Sequence, residues 1–226
     1  ALGGASDMSL GPVVKYTMTD SLPDRFISTL YPYGFGNFGE AGVQFNLRQD
    51  LRDRQQDPRN RFLFDVNGSF FPKAWDVKSP FGAVTALVGA SLTVPVPTRP
   101  LLVVRGGGKK LIGTFPYSES AFIGGGGTTR FMEQQRYVGD ASVYGSAELR
   151  IPVKGISFIV PLDAGILALE DIGRVYVKGD SPSGWHEVKG GGMWFGLRGR
   201  PKSVITFLFT NERGRSGMQV KTGLGF

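Results

Sequence analysis

The chain ends on the nine residues Met218-Gln-Val-Lys-Thr-Gly-Leu-Gly-Phe226, in which apolar and polar side chains alternate. In an extended strand, successive side chains point to opposite faces. One face therefore carries a C-terminal signature made of Met218, Val220, Leu224 and Phe226, together with Thr222. The opposite face carries Gln219, Lys221, Gly223 and Gly225. A strand with an apolar outer face, a wet inner face and a terminal aromatic residue is typical of a transmembrane β-barrel.

The same alternation recurs along the whole chain and predicts about ten strands, separated by turn residues. The predicted segments are 9–19, 39–50, 61–71, 82–95, 100–112, 142–153, 159–175, 189–198, 203–211 and 218–226. In segment 142–153, for example, Val143 and Leu149 point one way while Glu148 and Arg150 point the other. The strand signals run without a break, so we interpret residues 1–226 as one all-β domain, an antiparallel transmembrane β-barrel.

The connections give a second signal, because they tend to alternate in length. Long connections are predicted at about 20–38, 72–81, 113–141, 176–188 and 212–217. Shorter ones are predicted at about 51–60, 96–99, 154–158 and 199–202, although 51–60 is long for this group. Long extracellular loops and mostly short periplasmic turns are the layout of an outer-membrane barrel.

Composition agrees with such a fold and excludes several others. The chain has 34 glycines, 12% aromatic residues and only 20% charged residues. It has no apolar run of 18 residues, which excludes a transmembrane helix but not strands that cross a membrane. It has no cysteine, so disulfides and thiolate metal sites are excluded, and no cofactor or metal is expected. The N-terminus shows no export signal, which indicates that a signal has been removed or that the domain is excised.

The formal charge of +7 raises the question of an anionic partner. The lysines and arginines are scattered and no recognition helix accompanies them, so nucleic acid is not an expected partner. In a barrel, basic side chains line the lumen and the interface with anionic lipid head groups.

A soluble β-sandwich or a lipocalin-like barrel is the alternative fold, because its strands also alternate. Such a fold would place the apolar face inside. The opposite face here would make a poor dry core but a serviceable hydrated lumen; it holds Glu148, Arg150, Trp194, Arg198, Gln219 and Lys221. We therefore expect lipid or detergent to cover the apolar set Val143, Ala147, Leu149, Ile205, Phe207, Phe209, Val220 and Leu224.

The longest loop contains four consecutive glycines, Gly124 to Gly127. They do not form a phosphate-binding loop, because no Lys-Ser/Thr pair follows and no helix is predicted there. A glycine run at this place is better interpreted as backbone that packs closely against a wall.

Several stretches of the chain resemble one family. They are LGPVVKYTMTD, RQDLRDR and GGKKLIGTFPYSESAFIGG upstream, then Arg130 with GDASVYGSAELRIPV, DIGRVY at 171–176, the Trp185-His186 loop before GGGMWFG, and Phe226. Together they resemble BamA/TamA-type barrels of the bacterial surface-antigen superfamily, which assemble or translocate proteins at the outer membrane. The resemblance covers nearly the whole chain and is most specific over 121–176.

In that family a long extracellular loop folds back into the lumen and carries Val/Leu-Arg-Gly-Phe/Tyr at its tip. The matching residues here are Thr129-Arg130-Phe131-Met132, so the arginine agrees and the two residues after it do not. The resemblance implies that Arg130 pairs with acidic residues on the next two strands, which are Glu148 and Asp171 here. The alternative is that Arg130 is a solvated loop residue.

The resemblance implies an integral protein of the bacterial outer membrane that inserts or translocates other proteins. Its partners would be the lipid bilayer with lipopolysaccharide and unfolded outer-membrane or secreted proteins. The outer-membrane assembly machinery would be a further partner, which binds the C-terminal strand. A passive barrel, acting as an anchor or small pore for a separate domain, is the alternative. The family's full barrel has more strands than are predicted here, so the chain is either a complete small barrel or the C-terminal part of a larger one.

Two further expectations concern closure and catalysis. We expect strand 9–19 to pair with strand 218–226, with Gly223 and Gly225 loosening this contact. The single histidine, His186, stands beside Trp185 in a predicted loop and is interpreted as an interfacial residue. An enzyme is not expected, because a catalytic histidine would need partners beside it.

Overall fold

Ten strands form one continuous antiparallel sheet in the computed structural model of the protein. The structure describes residues 5–23, 26–52, 61–157, 161–180, 184–197, 204–212 and 214–222. The sheet strands are β1 (Ala5–Met18), β2 (Asn37–Arg52), β3 (Arg61–Phe71), β4 (Phe81–Thr93), β5 (Leu101–Gly113), β8 (Ala141–Ser157), β9 (Pro161–Tyr176), β10 (His186–Leu197), β11 (Val204–Glu212) and β12 (Arg215–Thr222). Short β6 (Ala121–Ile123) and β7 (Tyr137–Gly139) pair with each other inside the longest loop.

Each sheet strand pairs with its neighbours in chain order, and β5 pairs with β8 across the longest loop. Every predicted segment overlaps one of these ten strands, so the all-β antiparallel prediction is confirmed. The helical content is small: α1 (Phe26–Leu30) and a single 3-10 turn at Tyr117–Glu119. None of the helices in the described residues has the length and hydrophobicity needed to cross a bilayer.

The two faces of the sheet differ in chemistry. On β1 the side chains of Leu10, Val14 and Met18 are exposed on one face, which we call the outer face. The outer face continues with Val43, Phe62, Val88, Val104, Leu149, Ile166, Met193, Phe207 and Val220, all exposed. The opposite, inner face buries polar residues such as Glu40, Ser146 and Thr206. The inner face also buries apolar side chains such as Phe71, Leu111 and Val188, so the feature that differs from a soluble barrel is the exposed apolar outer face.

The apolar set predicted to face lipid lies on the outer face wherever it is described. Val143, Ala147, Leu149, Ile205, Phe207, Phe209 and Val220 are all exposed. In the C-terminal signature, Met218 and Val220 are exposed on the same face. Leu224, Phe226, Gly223 and Gly225 lie outside the described residues, as does Arg198.

The long connections lie at one end of the sheet, which we call the loop end. They comprise 19–36, 72–80, 114–140 and 177–185. The predicted long connection at 212–217 is wrong, because Glu212 pairs with Arg215 and only two residues separate β11 from β12. Gly214 adopts a φ of 83° there, a conformation that suits glycine and allows a tight turn. The polar run NERGRSG therefore contains strand residues as well as the turn.

The two terminal strands pair on one side only within the described part of the chain. There β1 pairs with β2, and β12 pairs with β11. Pairing of β1 with β12 is not seen among these residues, so direct closure of the sheet stays a prediction.

Candidate functional site

The loop between β5 and β8 folds back against the inner face of the sheet. Its last residue, Asp140, is fixed by backbone hydrogen bonds of 2.9 Å from Leu111 N to Asp140 O and 2.8 Å from Asp140 N to Tyr176 O. Within the loop, β6 and β7 pair over three residues each. Gly173 on β9 leaves room for this loop, because a Cβ there would lie 2.8 Å from the Thr129 methyl carbon. We call residues 114–140 the inner loop.

Arg130 lies at the centre of the inner loop and contacts both predicted carboxylates. Its Nη1 donates a 2.6 Å hydrogen bond to Glu148 Oε2, and its Nη2 donates one of 2.8 Å to Asp171 Oδ1. Its Nε donates to Asp171 Oδ2 at 3.1 Å, and its backbone N–H donates to the same oxygen at 2.6 Å. The exposed fractions of Arg130, Glu148 and Asp171 are 4%, 3% and 0%. The predicted contact is present, and the solvated alternative for Arg130 is wrong.

A second arginine completes the charge balance of this cluster. Arg150 Nε donates to Glu148 Oε1, the oxygen that Arg130 leaves open. Two guanidinium groups thus face two carboxylates, which reduces the cost of burying each charge. Burial alone would lower the pKa of the Arg130 guanidinium, but hydrogen bonds to Asp171 and the charges of Asp171 and Glu148 raise it above its ordinary value. Arg130 therefore stays charged at every ordinary pH.

Phe131 and Met132 occupy the positions where the chain departs from the family motif. Phe131 has a φ of 74°, in the left-handed region that glycine adopts most easily. Its ring packs against a buried apolar cluster of Leu167, Leu169 and Leu208, and Lys221 Nζ lies 4.1 Å from the ring centroid. The side chain is thus accommodated rather than excluded. Met132 is buried, and its Sδ accepts a 3.2 Å hydrogen bond from Thr129 Oγ1.

This packing corrects the expectation of a hydrated inner face. Next to the inner loop, Leu167, Leu169 and Leu208 make the inner face apolar, while Glu148 and Arg150 are buried by the loop itself. The outer face of β9 also departs from the pattern. It carries the charged residue Glu170, whose Oε1 lies 3.9 Å from Lys189 Nζ. Side chains of β9 therefore alternate between the two faces as predicted. However, apolar residues also lie on the inner face of β9, and a charged residue lies on its outer face.

Glu119 fixes the first part of the inner loop to β1 and β5. Lys15 Nζ on β1 donates a 2.5 Å hydrogen bond to Glu119 Oε1, and Lys109 Nζ on β5 donates one of 3.4 Å to Glu119 Oε2. Lys15 Nζ also lies 3.8 Å from buried Glu40. Burial alone would raise the pKa of the Glu119 carboxyl, but the hydrogen bond from Lys15 and the charge of Lys109 bring it below its ordinary value.

The last part of the inner loop contacts β10 and β11. Arg136 Nη1 donates a 3.1 Å hydrogen bond to Glu212 Oε2. The Tyr137 ring stacks on His186, with 3.6 Å between ring centroids. His186 is the first residue of β10 and is buried on the inner face, so its prediction as an interfacial residue is wrong. The preceding residue, Trp185, is exposed.

These contacts place one loop against both terminal strands. Glu119 holds β1 through Lys15, and Phe131 holds β12 through Lys221. Because the same inner face of both strands touches the inner loop, the ten-stranded sheet curls around it. The sequence did not predict the Glu119 contacts. A signal that could have found them is the pair of inner-face lysines, Lys15 and Lys109, which need an acidic partner if buried.

The glycines of the run Gly124 to Gly127 differ in how closely they pack. Gly124, with a φ of 114°, packs closely as expected, since a Cβ there would lie 2.2 Å from Glu133 O. Gly126 and Gly127 meet no neighbour and do not follow that interpretation. Among the residues that the structure describes, no cluster of three or more His, Asp or Glu residues could hold a metal ion.

No protein-family model matches the chain, and no curated protein matches it either.

Proposed function

We propose that the chain is an integral outer-membrane β-barrel whose outer face contacts lipid and whose lumen is filled by the inner loop. The observation that supports this proposal is the exposed apolar outer face of the sheet, opposite an inner face that buries charged side chains. Large apolar side chains such as Leu10, Phe209 and Met218 are exposed outside, while Arg130, Glu148 and Asp171 are buried inside. An exposed Leu or Phe forgoes about 1.5–3 kcal/mol of burial free energy in water, and a bilayer supplies that environment.

Within this proposal, the chain inserts or translocates other proteins at the outer membrane. The resemblance to BamA/TamA-type barrels supports this assignment. The unpaired edges of the terminal strands support it as well. The described parts of β1 and β12 each leave one edge without a partner strand, and an unpaired edge can accept an incoming strand. Unfolded outer-membrane or secreted proteins would be the substrates.

The second candidate is a passive membrane anchor. It is favoured by the inner loop, whose buried ion pairs and apolar contacts occupy the inner face from β1 to β12. A filled lumen fits an anchor better than an open pore. In this candidate, Arg130 and its partners have a structural role only.

The membrane assignment is tested with two adjacent residues on β11. Phe209 is exposed on the outer face, and Thr210 is buried on the inner face. Because the chain has no cysteine, Phe209→Cys and Thr210→Cys each carry a single site for a fluorophore. In vesicles that contain nitroxide lipids, we expect strong quenching at position 209 and weak quenching at 210. Equal quenching, or a protein that stays monodisperse without detergent, refutes the assignment.

The two candidate functions are separated by a folding assay. The protein is reconstituted in vesicles, and the folding rate of a second, unfolded β-barrel added from outside is measured. An insertase accelerates this folding relative to vesicles that contain a passive barrel of similar size. No acceleration, with the protein correctly inserted, favours the anchor.

A further inference from the structure

A cluster on the outer face at the loop end has no role in the inner-loop contacts. Arg174 lies on the outer side of β9, because the preceding Gly173 faces Thr129 of the inner loop and the alternation reverses at the next residue. Its guanidinium carbon lies 5.0 Å from the Tyr176 ring centroid and 5.9 Å from the Trp185 ring centroid. A cation between two aromatic rings is held in place by their π faces.

The charge of Arg174 is not neutralised by the described residues. No described carboxylate lies within ion-pair distance of it, and its Nε is buried without a hydrogen-bond partner there. The nearest acidic residue along β10, Glu187, is engaged with Lys189 at 2.5 Å. The remaining guanidinium donors are thus available to an anion from outside the chain. A planar guanidinium matches phosphate oxygens in a bidentate arrangement.

The position of the cluster indicates which anion reaches it. A second aromatic pair lies on the outer face at the same loop end, where Tyr16 stacks on Trp75 with 5.8 Å between ring centroids. Gly39 on β2 allows this stacking, because a Cβ there would lie 2.1 Å from the indole ring. Exposed aromatic residues at one level of a sheet are typical of the boundary between lipid chains and head groups.

We propose that Arg174, Tyr176 and Trp185 form a binding site for the phosphate of a lipid head group. This site rests on the proposed membrane function, because only a bilayer around the outer face brings a lipid phosphate to this level. The aromatic rings lie at the boundary of the acyl chains, and the guanidinium group binds the phosphate. Lys189 and Glu170 are not part of the site, because Lys189 pairs with both Glu170 and Glu187.

The test is a lipid titration of the protein reconstituted in nanodiscs of a phosphate-free glycolipid. Phosphatidic acid is added in steps, and bound lipid is counted by native mass spectrometry. We expect Arg174→Gln to weaken phosphatidic acid binding about tenfold, as loss of a charge-assisted hydrogen bond predicts. Arg174→Lys is expected to recover part of the affinity, since it keeps the charge. Arg215→Gln is the control for loss of one positive charge, because Arg215 is exposed at the loop end, lies on the inner face and has no aromatic cage among the described residues.

Each other outcome overturns a defined part of the proposal. If Arg174→Gln and Arg215→Gln bind phosphatidic acid as the unmodified protein does, the site is wrong and the membrane assignment stands. If free inorganic phosphate displaces the lipid at equal concentration, the lipid is not the specific ligand. If the protein does not enter the nanodiscs at all, the proposed membrane function fails and the site fails with it.

Discussion

Replacement of Arg130 by alanine tests the central ion-pair cluster. The substitution removes the hydrogen bonds from Nη1 to Glu148 and from Nε and Nη2 to Asp171. Glu148 keeps Arg150 as a partner, but Asp171 is fully buried and keeps only the backbone N–H of residue 130. Loss of one member of a buried pair costs about 3–5 kcal/mol, because the other charge stays buried without compensation. We expect a loss in this range for Arg130→Ala.

The assay is reversible urea unfolding in lipid vesicles, followed by tryptophan fluorescence. The matched control is Arg136→Ala, since Arg136 comes from the same loop and pairs with one carboxylate, Glu212, at a partly exposed site. A pair of that kind contributes about 0.2–1 kcal/mol. A double variant with Asp171→Asn removes the stranded charge, and we expect it to differ from the sum of the single changes by about 2 kcal/mol.

The reasoning is refuted if Arg130→Ala costs no more than Arg136→Ala. That result would mean that water reaches the carboxylates in the folded protein and that burial does not determine their energetics. Additive single changes in the double variant would refute the direct coupling of Arg130 with Asp171 even if the total loss is large.

Three further outcomes are expected. Glu119→Gln should reduce the free energy of unfolding at pH 7 by about 1–2 kcal/mol. Because the pKa of Glu119 is lower in the folded than in the unfolded protein, this contribution is present above the unfolded pKa. In unfolding curves, the difference from the unmodified protein should disappear as pH falls through the folded pKa. Phe131→Gly should lose about 2 kcal/mol, since lost packing against the leucine cluster outweighs the relief of the left-handed backbone, and a more stable variant in urea titrations would contradict this. Cysteines at facing positions of β1 and β12, at Lys15 and Lys221 and their near neighbours, should crosslink in the folded protein if the sheet closes directly; absence of any crosslink on non-reducing gels would favour a fragment of a larger barrel.

The sheet could be predicted from the sequence because its strands alternate in a simple period. The exposed apolar residues of β1 and β11, such as Leu10 and Phe207, follow that period without exception. The short turn at Gly214 could not be predicted in the same way, since Arg215 and Ser216 are polar and resemble loop residues although they lie in a strand. The end of a strand is determined by backbone pairing. The polarity of the residues near that end does not predict where the pairing stops.

Part of the candidate site could also be predicted from the sequence. The resemblance predicted the contact of Arg130 with Glu148 and Asp171. It could do so because the contact depends on residue types at fixed positions in the chain. It did not give the Glu119 contact with Lys15, whose partners are separated by 104 positions. Nor did it place His186 inside, because its burial depends on the Tyr137 ring of the returning loop. Contacts that depend on the path of a long loop require the three-dimensional structure.

The inner loop also has a consequence for the order in which the chain folds. The contacts of Arg130 span 18 and 41 positions, whereas the contact of Lys15 with Glu119 spans 104. Contacts between distant positions cost more chain entropy, so they form late. A loop that contacts both terminal strands must also be seated before those strands come together around it. The middle of the chain is therefore expected to order before its ends, and pulsed hydrogen exchange during refolding should protect amides of β8 and β9 before those of β1.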